Sequence, residues 1–206
     1  MSIEVKICGL TRREDLLAAL EFGADYVGFV LYEGSPRCIA PRTLSSLLEQ
    51  VDSQVRAVGV FVNRSRSEVE KIAGDCGLFA VQIHGMEKAG EFDGCSVPVW
   101  RAVRVHRGHW VPVPGVWRAE RYVVDATVPG HYGGTGVLAD WTHAETLAKA
   151  HPCMLSGGLT PENVAEAISC VRPLGVDVAS GVEASPGVKD HARLEAFIRN
   201  ARRAKG

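Results

Sequence analysis

The sequence predicts an α/β protein, a compact single (β/α)8 TIM barrel, and three observations point there. Short β-branched runs alternate with helical patterns from one end to the other, the signature of parallel β/α units. The runs number eight, which a closed barrel explains better than an open sheet. No low-complexity stretch or linker divides the 206 residues, so residues 1–206 are expected to form one domain.

The strands fall near 4–8, 25–30, 56–62, 79–83, 97–103, 121–125, 153–156 and 175–179. Helical patterns lie near 12–22, 41–51, 66–76, 87–93, 139–150, 161–171 and 189–203. Thr11 and Glu14 have capping-box spacing at the start of the first helix. Thr160 before Pro161 puts an N-cap ahead of a proline at the first helical position. Residues 104–120, RVHRGHWVPVPGVWRAE, carry two prolines, two glycines and no helical period. The fifth crossover helix is therefore expected to be missing, its place taken by a loop.

Composition excludes several classes. The chain is 46% apolar and 23% charged with net charge −1, so no charge excess draws it to nucleic acid or an anionic membrane. No run approaches a spanning helix and no leader pattern opens the chain; a cytoplasmic protein is expected. Six cysteines, at 8, 38, 76, 95, 153 and 170, include no CxxC pair, and the seven histidines form no HExxH motif. No disulfide framework, metal or cofactor is expected.

In a barrel of this kind reactive groups sit where strands end, on the C-terminal face. Cys8 holds that position on the first strand and Asp125 on the sixth. Alternation turns Val5, Ile7, Tyr122 and Val124 toward the helices, leaving Lys6, Cys8, Val123 and Asp125 facing inward. By the same rule Gln82 and His84 of VQIHG face inward at the fourth strand. Arg37, in the loop YEGSPRCIAP, offers a fork suited to a carboxylate. Gly157 and Gly158 follow the seventh strand, and Ser180 and Gly181 the eighth. In barrels these two loops build phosphate sites from backbone N–H groups. The glycine-rich loop ATVPGHYGGTG, 126–136, suits closure over a ligand. A small phosphorylated molecule is thus the expected partner, with the chain a monomer or homodimer.

KICGLT, GFVLYEGSPRCIAP, VGVFVN and VQIHG at the first four strands resemble the phosphoribosylanthranilate isomerase family. So do the aspartate of VVDA, the GGTG loop with its following DW, LSGGLTPENV, and DVASGVEASPGVKD. The resemblance spans nearly the whole chain. It implies a cofactor-free Amadori rearrangement in tryptophan biosynthesis, taking N-(5'-phosphoribosyl)anthranilate to 1-(2-carboxyphenylamino)-1-deoxyribulose 5-phosphate. It implies Cys8 as general base, Asp125 as general acid, Arg37 on the anthranilate carboxylate, and the 157–158 and 180–181 backbones on the phosphate.

The two catalytic groups need opposite tuning. A model thiol near pKa 8.5 is only about 3% thiolate at pH 7, a gap of about 2 kcal/mol that Lys6 or the substrate's own iminium would narrow. An aspartate acting as acid must hold a proton near neutrality, which burial under a closing loop favours. Two alternatives stand beside this reading. One is the histidine-pathway phosphoribosyl isomerase, against which Cys8 and the single pair of phosphate loops argue. The other is a non-catalytic barrel that binds a phosphorylated metabolite, which has no need of Cys8 and Asp125 at one mouth.

Overall fold

A computed structural model describes residues 2–125 and 141–204. The barrel strands are β1 (Glu4–Ile7), β2 (Tyr26–Val30), β3 (Ala57–Phe61), β4 (Ala80–Ile83), β5 (Val99–His106), β7 (Arg121–Asp125), β8 (Cys153–Ser156) and β9 (Gly175–Val178). All pair in parallel in the order β4-β3-β2-β1-β9-β8-β7-β5, and pairing of β4 with β5 closes the ring. Each of the eight predicted strands is present. The antiparallel β6 (His109–Val111) hangs on the extended end of β5, and β10 (Glu183–Ser185) and β11 (Val188–Lys189) form a small hairpin beyond β9.

The outer layer consists of α1 (Arg13–Glu21), α2 (Pro41–Leu48), α3 (Arg66–Cys76), α4 (Thr142–Ala150), α5 (Val164–Val171) and α6 (His191–Arg203). Strand alternation sorts the core into two parts. Val5, Ile7, Tyr122 and Val124 join the helix-facing cluster, whereas Tyr26, Val58, Ala80, Trp100, Val123 and Met154 fill the barrel interior. Arg121 closes the interior floor: its Nη1 donates to Glu4 at 2.5 Å, and its guanidinium lies 4.5 Å from the Trp100 ring centre.

Several local expectations are corrected. The Thr11–Glu14 capping box does not form; α1 starts after Arg12 without a side-chain cap, and the Thr11 hydroxyl instead donates to Gly187 O at 2.5 Å. A long-range partner won over the local one. The helix after Pro161 begins only at Val164, although the Thr160 hydroxyl does accept from the Glu162 N–H at 3.3 Å. The pattern at 87–93 is a short 3-10 turn, Ala89–Phe92.

The fifth crossover helix is missing, as expected, but its replacement is more than a loop. β5 runs on to His106 and turns back into β6 through Arg107 and Gly108, both at positive φ (50° and 78°), the geometry of a tight hairpin turn. Where a helix would cover β5, Trp117 is buried against Arg101, 4.5 Å from its guanidinium, and beside Phe92. Arg101 donates to Ile83 O at 2.5 Å and Gly85 O at 2.6 Å. Those carbonyls flank His84, so the substitute for the helix also anchors the end of β4.

Candidate active site

Cys8 follows β1 directly, and its N–H donates to Val178 O at 2.8 Å, which extends the ladder and turns the thiol inward. Gly28 on β2 makes the room: a Cβ there would lie 2.8 Å from Cys8 Sγ and 3.0 Å from Lys6 Cε. Lys6 is fully buried one step below, with Nζ 3.0 Å from Asp177 and 3.1 Å from Gln82 Oε1. Such a pair persists because each charge is satisfied by the other and by hydrogen bonds. Burial alone would lower the lysine's pKa, yet the Asp177 carboxylate beside it holds it raised.

The thiol's balance runs the other way. Burial pushes the Cys8 pKa up and outweighs the downward pull of the neighbouring Lys6 charge, while Asp177 adds to the rise. Lys6 is thus the nearby cation expected from sequence, but it is committed to Asp177 and does not offset the effect of burial on the thiol.

Gln82 links this pair to His84. Its Oε1 accepts from Lys6, so its Nε2 is the atom facing His84 Nδ1 at 3.2 Å and is the donor in that contact. That fixes the neutral tautomer with the proton on Nε2. Burial lowers the imidazole's pKa, against an upward pull from Asp125, so the ring stays uncharged near neutrality. His84 and Asp125 line one cleft with Gly85, Met86, Arg101, Ala102 and Arg104. Asp125 ends β7 opposite Ser156 of β8 and Arg104 of β5. Gln82 and His84 therefore point where alternation placed them, though Gln82 spends its polar atoms on neighbours.

Arg37 reaches the rim from the loop after β2 and is paired with Glu183, Nε to Oε1 at 2.8 Å and Nη2 to Oε2 at 2.6 Å. The two glycine loops also meet at the rim, next to Glu183. Gly157 and Gly158 both have positive φ (87° and 66°). A Cβ on Gly181, in the 3-10 turn Ser180–Val182, would sit 1.8 Å from Leu159 O. Only glycine allows that approach of the two backbones. The 126–136 loop lies outside the described residues.

Sequence reasoning missed Asp177, Glu183 and Lys189. Asp177 was open to the alternation argument, since Val176 and Val178 flank it facing outward. The other two offered no local signal for their ties to Arg37 and to the Cys8 carbonyl, which lie 146 and 181 residues away. Among the described residues no cluster of three or more His, Cys, Asp or Glu has metal-binding geometry, and no helix is long and apolar enough to cross a membrane.

A parallel barrel with ionisable groups gathered at the C-terminal ends of its strands is the design of a TIM-barrel enzyme. Residues 5–200 match the family model for N-(5'-phosphoribosyl)anthranilate (PRA) isomerase. The chain is 43% identical to the N-(5'-phosphoribosyl)anthranilate isomerase of Trichlorobacter lovleyi over 203 residues, 98% of this chain and 99% of the relative. It is 45% identical to that of Pseudomonas fluorescens over 204 residues, with the same coverage. A crystal structure of phosphoribosyl anthranilate isomerase with reduced 1-(o-carboxyphenylamino)-1-deoxyribulose 5-phosphate superposes with a TM-score of 0.84 at 38% identity, covering 97% of this chain and 98% of that one. The chain belongs to the N-(5'-phosphoribosyl)anthranilate isomerase family.

Proposed function

We propose that the chain converts N-(5'-phosphoribosyl)anthranilate to 1-(2-carboxyphenylamino)-1-deoxyribulose 5-phosphate, with Cys8 as general base and Asp125 as general acid and no cofactor. The observation that carries the roles is the inward placement of a thiol and a carboxylate at the ends of β1 and β7, on one barrel mouth. Asp125 gives its proton to the furanose ring oxygen as the C1–O bond breaks, and the anthranilate nitrogen's lone pair forms the iminium. Cys8 takes the proton from C2, and the C–H electrons flow into the iminium to give an enolamine. Proton return to C1 with loss of the enol proton gives the ketone, so atoms and charge balance within one substrate. The iminium is the electron sink.

Burial raises the thiol pKa, so Cys8 must release its own proton to solvent before it can act as base, and the iminium that ring opening creates beside it favours that thiolate. His84, presenting Nε2–H, donates to a sugar oxygen. Arg37 takes the anthranilate carboxylate, and the N–H groups of Gly157, Gly158, Ser180 and Gly181 take the phosphate. The test is the loss of anthranilate-type fluorescence from substrate made in situ, with and without protein. A rate equal to the uncatalysed one would refute the activity.

A further inference from the structure

The hairpin β10–β11 carries a charge cluster that the mechanism above does not use. Glu183 is 4% exposed at its side chain, against 21% for Arg37. Glu183 Oε1 accepts from Lys189 Nζ at 3.0 Å and from Gly187 N–H at 3.4 Å, besides Arg37 Nε. Lys189 is itself buried, and its Nζ also donates to Cys8 O at 2.7 Å and Ala179 O at 3.0 Å. One ammonium thus ties together the backbone of the thiol, the residue before the Ser180–Gly181 turn, and the carboxylate that grips Arg37. Arg37 is steered from the other side as well, because its stem crosses Gly9, where a Cβ would fall 2.6 Å from Arg37 Cδ.

The geometry of the grip matters. Glu183 occupies the Nε–Nη2 edge of the guanidinium, which leaves the Nη1–Nη2 edge for a second carboxylate. A guanidinium has five N–H donors in a rigid plane, so fixing one edge fixes the direction of the other. We propose that Glu183, anchored by Lys189, is a positioning residue that aims the free edge of Arg37 at the aromatic carboxylate of the substrate. This rests on the reading of Arg37 as the carboxylate ligand. The specificity of the mouth for a carboxylated aniline then resides in a three-residue relay, Lys189 to Glu183 to Arg37, rather than in one arginine.

The test compares two ligands: the reduced product analogue, and the same compound without its carboxylate. Glu183→Gln should weaken the carboxylated ligand about tenfold, the loss of one charge-assisted contact's worth of orientation, and leave the other within about twofold. Combining it with Arg37→Ala should add nothing to Arg37→Ala alone. Should the glutamine variant not fold, Glu183→Asp, too short to span both nitrogens, must show the same carboxylate-selective loss. Equal weakening of both ligands would mean a structural role and overturn the proposal, as would tighter binding of the carboxylated ligand, which would make Glu183 a competitor. An Arg37→Ala variant that still distinguishes the ligands as the parent does would refute the role of Arg37 itself. Loss in Arg37→Ala but not in either Glu183 variant would refute only the relay.

Discussion

At the scale of single residues, the account turns on how burial and neighbouring charge divide at the mouth. Cys8 is buried and its pKa is raised because desolvation outweighs Lys6. Iodoacetamide should therefore inactivate the free enzyme with a rate that climbs through an apparent pKa above the ordinary thiol value of about 8.5. Peptide mapping should tie the loss to Cys8, although Cys38 is half-buried and Cys170 exposed; inactivation tracking either of those would contradict this. Arg37→Ala should cost about 1.5–3 kcal/mol in substrate binding, read from KM, and Arg37→Lys should restore only part. An unchanged KM in the alanine variant would show the arginine serving Glu183 alone. Alternation was enough to place Lys6, Cys8, Gln82, His84 and Asp125 on the inner face. It could not show that Gln82 bridges Lys6 and His84, since that depends on side chains from two strands meeting inside the ring.

At the scale of elements, the legible parts were those with a period of their own. Strands and most helices were readable to within a few residues, and the breakdown of period at 104–120 announced the missing crossover helix. The β5–β6 hairpin was not foreseen, since Arg107 at positive φ is an uncommon choice for a tight turn. Nor was the first helix start, where Thr11 leaves its local partner for Gly187. Such choices are decided by tertiary contact. The substitute for the helix makes a direct prediction. Trp117 is 5% exposed and packs on Arg101 and Phe92, so Trp117→Ala should destabilise the fold by about 3–4 kcal/mol in urea unfolding. Because Arg101 also braces the carbonyls around His84, KM should rise in the same variant under conditions where it remains folded. A change below about 1 kcal/mol would mean that the 112–120 segment merely drapes over β5.

At the scale of the whole molecule, stability should depend on pH in two windows. Burial lowers the His84 pKa, so between the ordinary value of about 6.5 and its folded value the unfolded chain binds the extra proton, and stability falls as pH falls. Glu183 behaves alike at lower pH. Burial would raise its pKa, but Arg37 and Lys189 hold it below the usual carboxylate range, so its contribution is intact above about pH 4.3 and is lost as acid carries the pH through its folded pKa. His84→Gln should flatten the upper window and Glu183→Gln the lower, as read from urea midpoints against pH. A parent slope unchanged in both variants would assign acid sensitivity to other groups. Whole-chain features carried the family assignment, whereas the relay from Lys189 to Arg37 needed the closed ring, because it joins residues from opposite ends of the sequence.

The central claim, that a thiol and a carboxylate at one mouth run the rearrangement, is tested most directly by turnover of Cys8→Ser. Serine keeps the shape and burial of the side chain but holds its proton far too tightly to act as base near neutrality. In the fluorescence assay its kcat should fall at least about a thousandfold, in line with loss of a general base, while the reduced product analogue still binds within a few-fold of the parent. Asp125→Asn, assayed beside it, should show the same pattern. Near-parent turnover by Cys8→Ser would make the thiol a structural residue and contradict the account.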